Sequence, residues 1–239
     1  MNINLIDSIN FIKSKVSFNG ETAVILGSGL GDFANNLSRK FSIPFSEIPN
    51  YPISNVEGHD GKFTFGEISG REILIAKGRA HLYEGYSKNI VSSQVKIFKN
   101  LGIKNLIITN SAGSLRKKNP PGTFMIINGH IDMTFQNSSS IPNVIINSKF
   151  YCPKLISIAN QVSVEESIRL ESGIYCWTLG PSYETAEEIK FFRALNGSAV
   201  GMSTVPEIEM GVKLGLGMLT ISTLTNYAAG ISKKSLSHN

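Results

Sequence analysis

The sequence predicts an α/β fold, in which the strands of a sheet alternate with helices along the chain. Short runs of β-branched and apolar residues recur between segments whose apolar residues are spaced as on one face of a helix. Glycines separate the two kinds of segment, since Gly27 closes the first apolar run and Gly102 ends a helical one. Strands separated by helices favour a sheet covered on both faces, with ligands bound where the strands end.

Each predicted element follows from a local pattern. The pattern of residues 1–15 predicts an amphipathic helix. Ser69-Gly70-Arg71 lies between two apolar runs and predicts a hairpin of strands 63–68 and 72–76. Thr185 followed three residues later by Glu188 is a capping-box pattern, so a helix is expected to begin at Glu184 or Thr185. The other predicted strands are 22–26, 103–109, 123–128, 173–178, 198–200 and 219–224. The other predicted helices are 90–101, 155–164 and 206–214.

Composition excludes several classes of protein. The chain has 239 residues, 41% hydrophobic and 17% charged, which is a globular rather than a disordered composition. Its two cysteines, Cys152 and Cys176, exclude a disulfide scaffold, and neither stands in a zinc-binding motif. We expect one domain over residues 1–239, in a reducing compartment.

Charge and hydropathy point to a cytoplasmic protein with a small-molecule ligand. The formal net charge is +5, but the basic residues are scattered rather than arranged in the stripe typical of nucleic-acid binding. No signal peptide is recognisable, and no run reaches the ~18 apolar residues needed to span a bilayer. We therefore expect neither a nucleic-acid nor a membrane partner. A small anionic substrate explains the positive net charge as well as a nucleic acid would.

A glycine-rich segment, Gly27-Ser28-Gly29-Leu30-Gly31, follows the first predicted strand directly. Glycines allow a tight turn and a close approach of the backbone to a ligand, and N–H groups at a helix start favour phosphate. The spacing is neither that of a dinucleotide-binding loop nor that of a Walker A loop. An ordinary strand-to-helix turn remains an equal interpretation of this segment alone.

A second segment, Gly78-Arg79-Ala80-His81-Leu82-Tyr83, combines groups suited to a sugar phosphate. In extended chain, residues two apart face the same way, so Arg79, His81 and Tyr83 are expected side by side. A guanidinium and an imidazole suit phosphate oxygens, and a phenol can pack against a sugar. The alternative is a polar strand face exposed to water.

Five further segments offer polar groups next to predicted strand ends or in glycine-flanked loops. His59 lies between Gly58 and Asp60-Gly61, where it could donate to an anion or be an exposed loop residue. Small residues at 110–114, among them Ser111, permit close backbone approach. The remaining candidates are Tyr183 and Glu184, Met202 and Ser203, and Asn226. Glu184 could stabilise a helix dipole or accept from a heterocycle, and Asn226 can donate and accept at a purine edge.

Taken together, these segments resemble the trimeric purine nucleoside phosphorylases of the purine nucleoside phosphorylase and methylthioadenosine phosphorylase family. The resemblance runs from about Thr22 to His238 and rests on the strings GSGLG, GRAHLYEGY, GPSYETAEE, GMSTVPE and TNYAAG in this order. It implies a central mixed sheet, closed as a distorted barrel and flanked by helices. It also implies a homotrimer and a reaction without metal or organic cofactor.

The resemblance further implies a role for each matching residue. Phosphate would be bound by Ser28, His59, Arg79, His81, Ser203 and the backbone N–H of Ser111. Ribose would be held by Tyr83, Met202 and His238, and the purine by Tyr183, Glu184 and Asn226. Asn226, Glu184 and His81 would be the catalytic residues, and the Glu184 and Asn226 pair implies 6-oxopurines. We expect these segments to converge on one ligand site.

Two departures from the family pattern bear on assembly. The segment 133–148 is shorter than in the family and lacks an Asn-Pro-Leu string and the aromatic that reaches the neighbouring subunit's ribose, for which Phe150 is a candidate. The sequence ends at His238-Asn239, where family members continue into a C-terminal helix, so we also expect this helix to be absent.

Other functions remain as alternatives or are disfavoured by motif. A methylthioadenosine phosphorylase is one alternative, although Ser203 after Met202 and Asn226 match the nucleoside phosphorylase version. A weakly active or non-catalytic nucleoside-binding protein is another. A nicotinamide-dependent oxidoreductase fails on glycine spacing, and a serine hydrolase lacks the GxSxG elbow.

Overall fold

The structure, a computed structural model, describes residues 5–54, 61–136, 140–146 and 148–232. Its strands, β1 to β10 in chain order, are Thr22–Leu26, Ser38–Pro44, Lys62–Ile68, Arg71–Lys77, Asn105–Ser114, Phe124–Asp132, Asn143–Ile145, Leu170–Trp177, Gly197–Gly201 and Gly217–Tyr227. Its α-helices, α1 to α6, are Leu5–Lys15, Lys88–Val91, Ser93–Asn100, Pro153–Glu165, Ala186–Ala194 and Val205–Lys213. Strands and helices alternate, which confirms the predicted α/β class. None of these helices is long and apolar enough to cross a membrane.

The described chain divides into two compact units. The first comprises residues up to Thr109 together with Pro206–Met218, and the second comprises Asn110–Val205 with the residues from Leu219 onward. Each unit has its own mixed set of parallel and antiparallel strands.

The first unit is organised around β1. This strand runs parallel to β4 on one side and to the start of β5 on the other, with Thr22 opposite both Ile73 and Asn105. Its residues from Ala23 to Leu26 are all buried, as expected for a strand with neighbours on both edges. The antiparallel strands β3 and β2 extend this sheet beyond β4.

The predicted hairpin is confirmed and joins β3 to β4. Its two turn residues, Ser69 and Gly70, have φ of 50° and 73°, the left-handed conformations that a tight two-residue hairpin turn needs. Beside it, the rings of Phe63, Phe45 and Phe98 pack edge to face at centroid distances of 4.8 and 5.5 Å. Aromatic pairs of this geometry stabilise the packing beyond the area they bury.

The second unit is organised around β6 and β8, which run parallel with His130 opposite Tyr175. Strand β9 runs parallel to β8, whereas β7 and β10 run antiparallel to β6.

Burial raises the pKa of the Cys176 thiol to about 12, so this cysteine is a neutral core residue.

Helix α5 begins where the capping box predicts. The Thr185 side chain accepts from the backbone N–H of Glu188, and the Glu188 carboxylate accepts from the backbone N–H of Thr185. These hydrogen bonds from the Thr185 backbone and hydroxyl lower the pKa of Glu188. The prediction that a helix begins next to Glu184 and Thr185 is confirmed, and it places Glu184 just before the first turn.

Two local expectations were wrong or incomplete, and one strand was not predicted. The strand expected to end at Thr109 continues to Ser114, because Gly113 and Ser114 pair with Val200 and Ala199 of β9. The helix expected over 90–101 is broken at Ser92 into α2 and α3. Strand β2 was not predicted, since its residues alternate poorly and only one of them is buried.

Candidate active site

In the first unit, the ends of three parallel strands bring the glycine-rich loop and Arg79 together. The backbone N–H of Gly27 donates to Thr109 Oγ1 at 2.9 Å, and Arg79 Nη2 donates to the Thr109 carbonyl at 2.5 Å. Gly27 follows β1, Arg79 follows β4 and Thr109 lies in β5. The first unit thus places two of the candidate segments at the carboxyl edge of its parallel strands, where α/β sheets commonly bind ligands.

The glycine-rich segment forms a tight turn that exposes Ser28. The backbone N–H of Leu30 donates to the Gly27 carbonyl at 3.1 Å, and Gly29 has a φ of +79°. A left-handed residue at this point favours glycine because it lacks a Cβ. The turn leaves the Ser28 side chain exposed at the strand edge.

Arg79 is a buried cation with a buried carboxylate beside it. Its side chain is 4% exposed, and Nη1 lies 3.5 Å from Oε1 of Glu207, which is fully buried. Gln94 Nε2 donates to the same carboxylate oxygen at 3.2 Å. The pKa of Tyr51 is raised well above its ordinary value by burial and then by the charge of Glu207. The guanidinium is thus held in a fixed position by protein groups in a buried site.

His81 and Tyr83 lie together, although the chain around them is not extended as expected. Residues Leu82–Glu84 form a single 3₁₀ turn that ends at Gly85, whose φ is +85°. The turn forms because the Glu84 carboxylate accepts from the backbone N–H of His81 at 2.7 Å. The expectation of alternate facing in extended chain was therefore wrong.

Ring stacking keeps the two aromatic groups adjacent in spite of the turn. The rings of His81 and Tyr83 stack at a centroid distance of 4.8 Å. Glu84 lies 3.3 Å from His81 Nδ1 and accepts from Ser54 Oγ at 2.8 Å, so it orients the imidazole from one side. Burial raises the pKa of Tyr83, as does the charge of Glu84, so its phenol stays protonated.

In the second unit, Glu184 is held next to the end of β8. Its Oε1 accepts from Thr178 Oγ1 at 2.7 Å, and the backbone N–H of Thr178 donates to the Gly201 carbonyl at 2.9 Å. Tyr183 beside it is 42% exposed. Partial burial and the charge of Glu184 raise the pKa of Tyr183. A carboxylate and an exposed aromatic face thus stand next to the loop that follows β9.

That loop contains Met202 and Ser203, both half-buried. It is joined to β5 by a hydrogen bond from Asn110 Nδ2 to Thr204 Oγ1 at 2.9 Å. Ser111, whose backbone N–H was expected to bind phosphate, is the next residue of β5. The Met202–Thr204 loop therefore lies next to residues Asn110 and Ser111 of β5.

Asn226 lies near the end of β10 and against the same part of β5. A Cβ added to Gly113 would lie 3.5 Å from Asn226 Nδ2. The Asn226 amide therefore lies close to the backbone of β5 at Gly113. Asn226 Nδ2 donates to the Tyr227 carbonyl at 3.0 Å, and its Oδ1 accepts from Thr225. The residues expected to read the purine, Tyr183, Glu184 and Asn226, thus all belong to the second unit.

Other sequence expectations cannot be placed or stay open. His59 and His238 lie outside the described residues. Phe150 is half-buried with its ring 5.4 Å from that of His130, and its proposed role toward a neighbouring subunit stays a prediction.

Four residues that hold the others had no role assigned from the sequence, although they lie in or beside the candidate segments: Glu84, Glu207, Asn110 and Thr204. Glu207 could have been noticed as an acidic residue within the apolar run Val205-Pro206-Glu207-Ile208. Asn110 could have been noticed as a polar residue at the end of an apolar strand. The positive φ of Thr204 has no signal in the sequence.

Comparison with known proteins identifies the family. Residues 21–239 match the family described as the phosphorylase superfamily. This chain belongs to that superfamily. Purine nucleoside phosphorylase 1 of Geobacillus stearothermophilus is 39% identical over 236 residues, covering 96% of this chain and 86% of the relative. The corresponding protein of Bacillus subtilis is 37% identical, covering 96% and 87%.

Solved structures of the phosphorylase superfamily agree with the sequence comparison. The crystal structure of Schistosoma mansoni purine nucleoside phosphorylase in complex with inosine has a TM-score of 0.87 at 30% identity, covering 100% of this chain and 89% of that one. A purine nucleoside phosphorylase in complex with ribose-1-phosphate has a TM-score of 0.85 at 32% identity, covering 95% and 88%. The resemblance to purine nucleoside phosphorylases and the mixed α/β fold it implied are confirmed.

Proposed function

We propose that this chain is a purine nucleoside phosphorylase that cleaves 6-oxopurine nucleosides with phosphate. The products are the free base and ribose 1-phosphate or 2-deoxyribose 1-phosphate. The strongest support is the combination, in one chain of the phosphorylase superfamily, of an anion-binding set in the first unit and a purine-binding set in the second. Inosine, guanosine and their 2′-deoxy forms are the proposed substrates, in purine salvage.

In the proposed phosphate set, each residue supplies a donor. Arg79 offers a fork of N–H groups that suits phosphate oxygens, and its fixed orientation limits the entropy lost on binding. Ser28 and His81 add a hydroxyl and an imidazole N–H from the same unit. His59, Ser203 and the Ser111 backbone N–H complete the proposed set.

In the proposed nucleoside set, the polar groups match a 6-oxopurine. Glu184 accepts from N1–H of the base, and Asn226 donates to the N7 and O6 edge. Tyr183 lies against the ring. Tyr83 and Met202 hold the ribose, and His238 is the proposed partner of its 5′-hydroxyl.

The chemistry follows from these roles. The bond between C1′ and the purine breaks with its electron pair moving into the base, while a phosphate oxygen forms the new bond to C1′. The Asn226 amide stabilises the negative charge as it develops on the base, an electrostatic effect that is often the largest single contribution to catalysis. Fixed positions for phosphate and sugar supply much of the remaining rate. These steps need neither a metal nor an organic cofactor.

Assembly and location belong to the same proposal. The second unit exposes several large apolar side chains within one stretch of sequence: Ile141, Val144, Ile146, Ile158, Val162 and Val164. Exposed apolar residues in such number are typical of subunit contacts and support self-association, for which we propose a homotrimer. We place the enzyme in the cytoplasm, with no nucleic-acid or membrane partner.

A substrate panel tests the proposed base preference. With phosphate present, inosine and guanosine should exceed adenosine by about 10² or more in kcat/KM, because adenine N1 is an acceptor and would face the Glu184 carboxylate unpaired. Base release is followed by absorbance or chromatography, with 5′-methylthioadenosine included.

Two outcomes of the panel would contradict the proposal. Preferred cleavage of methylthioadenosine would assign the chain to the methylthioadenosine branch. Binding of inosine without turnover of any nucleoside would make it a binding protein instead.

A further inference from the structure

Thr204 holds a backbone conformation that β-branched residues rarely adopt. Its φ is +81°, in the left-handed region, and its side chain is fully buried. Such a conformation is strained and persists only where the surroundings hold it. The strained residue directly follows Ser203, which the proposed function assigns to phosphate.

Asn110 is a hydrogen-bond partner of Thr204, and its own burial also destabilises the fold. Asn110 is 2% exposed, and its Nδ2 donates to Thr204 Oγ1 at 2.9 Å. Its Oδ1 is buried and has no hydrogen-bond partner among the residues that the structure describes. A buried acceptor without a partner destabilises a protein. Strain and an unsatisfied acceptor at one contact indicate that the pair serves more than stability.

The contact continues to the phosphate residue. Thr204 Oγ1 lies 3.0 Å from Ser203 Oγ. An amide NH₂ can only donate, so the Thr204 oxygen uses a lone pair toward Asn110 and its hydroxyl hydrogen can point to Ser203. Ser203 Oγ then accepts from Thr204, which leaves its own hydrogen to be donated onward.

We propose that Asn110 and Thr204 are positioning residues that make the Ser203 hydroxyl a hydrogen-bond donor to phosphate. The chain runs from the Asn110 amide through the Thr204 hydroxyl to the Ser203 hydroxyl, and each bond in such a chain polarises the next. The proposal rests on the proposed function, because it takes phosphate as the ligand of Ser203. All three residues belong to the second unit.

The test compares variants of Thr204 that separate shape from hydrogen bonding. Thr204→Val keeps the branched shape but removes the hydroxyl, and it should raise the KM for phosphate roughly tenfold, as expected for weakening a hydrogen bond to a charged group. The KM for inosine should change by less than about twofold, because Ser203 is not assigned to the nucleoside. Thr204→Ser restores the hydroxyl and should recover most of the phosphate affinity.

Two further variants complete the experiment. Asn110→Asp has the same size but cannot donate when ionised, so it should also raise the KM for phosphate. Thr220→Val makes the same chemical change at another fully buried threonine of the second unit and should leave this KM unchanged. Thermal unfolding of each variant shows whether it is folded.

The outcomes distinguish this proposal from the proposed function. A Thr204→Val enzyme with normal phosphate KM, or one whose defect is equal for phosphate and inosine, would overturn the positioning role. If the wild-type protein cleaves no purine nucleoside, the proposed function fails first. Calorimetric binding of inorganic phosphate to wild type, Thr204→Val and Thr204→Ser then still decides whether the hydrogen-bond chain serves phosphate: equal affinities would refute it.

Discussion

Replacing Glu207 with alanine is expected to lower the free energy of unfolding by about 3–5 kcal/mol, the usual cost of removing one partner of a buried ion pair. The Arg79 guanidinium would remain in a buried site without the carboxylate that now lies 3.5 Å away. Gln94 Nε2 would also lose its acceptor. Urea unfolding of the wild type and the variant measures the difference.

An exposed ion pair of the same unit provides the control for Glu207. Glu21 pairs with Lys104 at the surface, so Glu21→Ala should cost at most about 1 kcal/mol. The double variant Arg79→Met with Glu207→Met removes both charges and should regain most of the lost stability, yet remain inactive if Arg79 binds phosphate. A Glu207→Ala protein within about 1 kcal/mol of wild type would show that this pair does not stabilise the first unit.

Replacing Asn226 with alanine is expected to lower kcat for inosine by about 10²–10³, the effect of removing one donor that stabilises developing charge. The KM for inosine should change less, because the interaction strengthens as the glycosidic bond breaks. The position of the amide beside Gly113, at the end of a strand, is the structural reason to expect a fixed donor there. Steady-state kinetics at saturating phosphate measures both constants.

A same-size replacement isolates the donor function of Asn226. Asn226→Asp keeps the volume but presents a negative charge to the base, so it should impair inosine cleavage at least as much as the alanine variant. Matching thermal unfolding curves would show that neither change disrupts the fold. Near-normal cleavage of inosine by both variants would refute the assigned role.

Local sequence patterns predicted several elements because the forces that set them act between neighbours. The apolar run Thr22–Leu26 is a buried strand with the predicted bounds, and Ser69-Gly70 forms the predicted turn. The Thr185 and Glu188 capping box began helix α5 as expected. In each case hydrophobic burial, backbone conformational freedom or capping within a few residues decides the outcome.

Other features depended on partners far along the chain or on one side chain. Strand β5 extends past Thr109 because β9 pairs with it, which no pattern at 110–114 shows. The turn at Leu82–Glu84 depends on the Glu84 carboxylate binding back to His81, so simple alternation failed there. Glu207 stands out in the sequence as an acidic residue within an apolar run, but its pairing with Arg79 became visible only when the fold brought the two together.

The identity of the sugar product shows whether phosphate or water takes the ribosyl group. Inosine is incubated with the protein with and without phosphate, and hypoxanthine, ribose 1-phosphate and ribose are quantified. We expect equal amounts of hypoxanthine and ribose 1-phosphate, formed only when phosphate is present. Hypoxanthine released with free ribose and without need of phosphate, or no release when both substrates are saturating, would contradict this expectation.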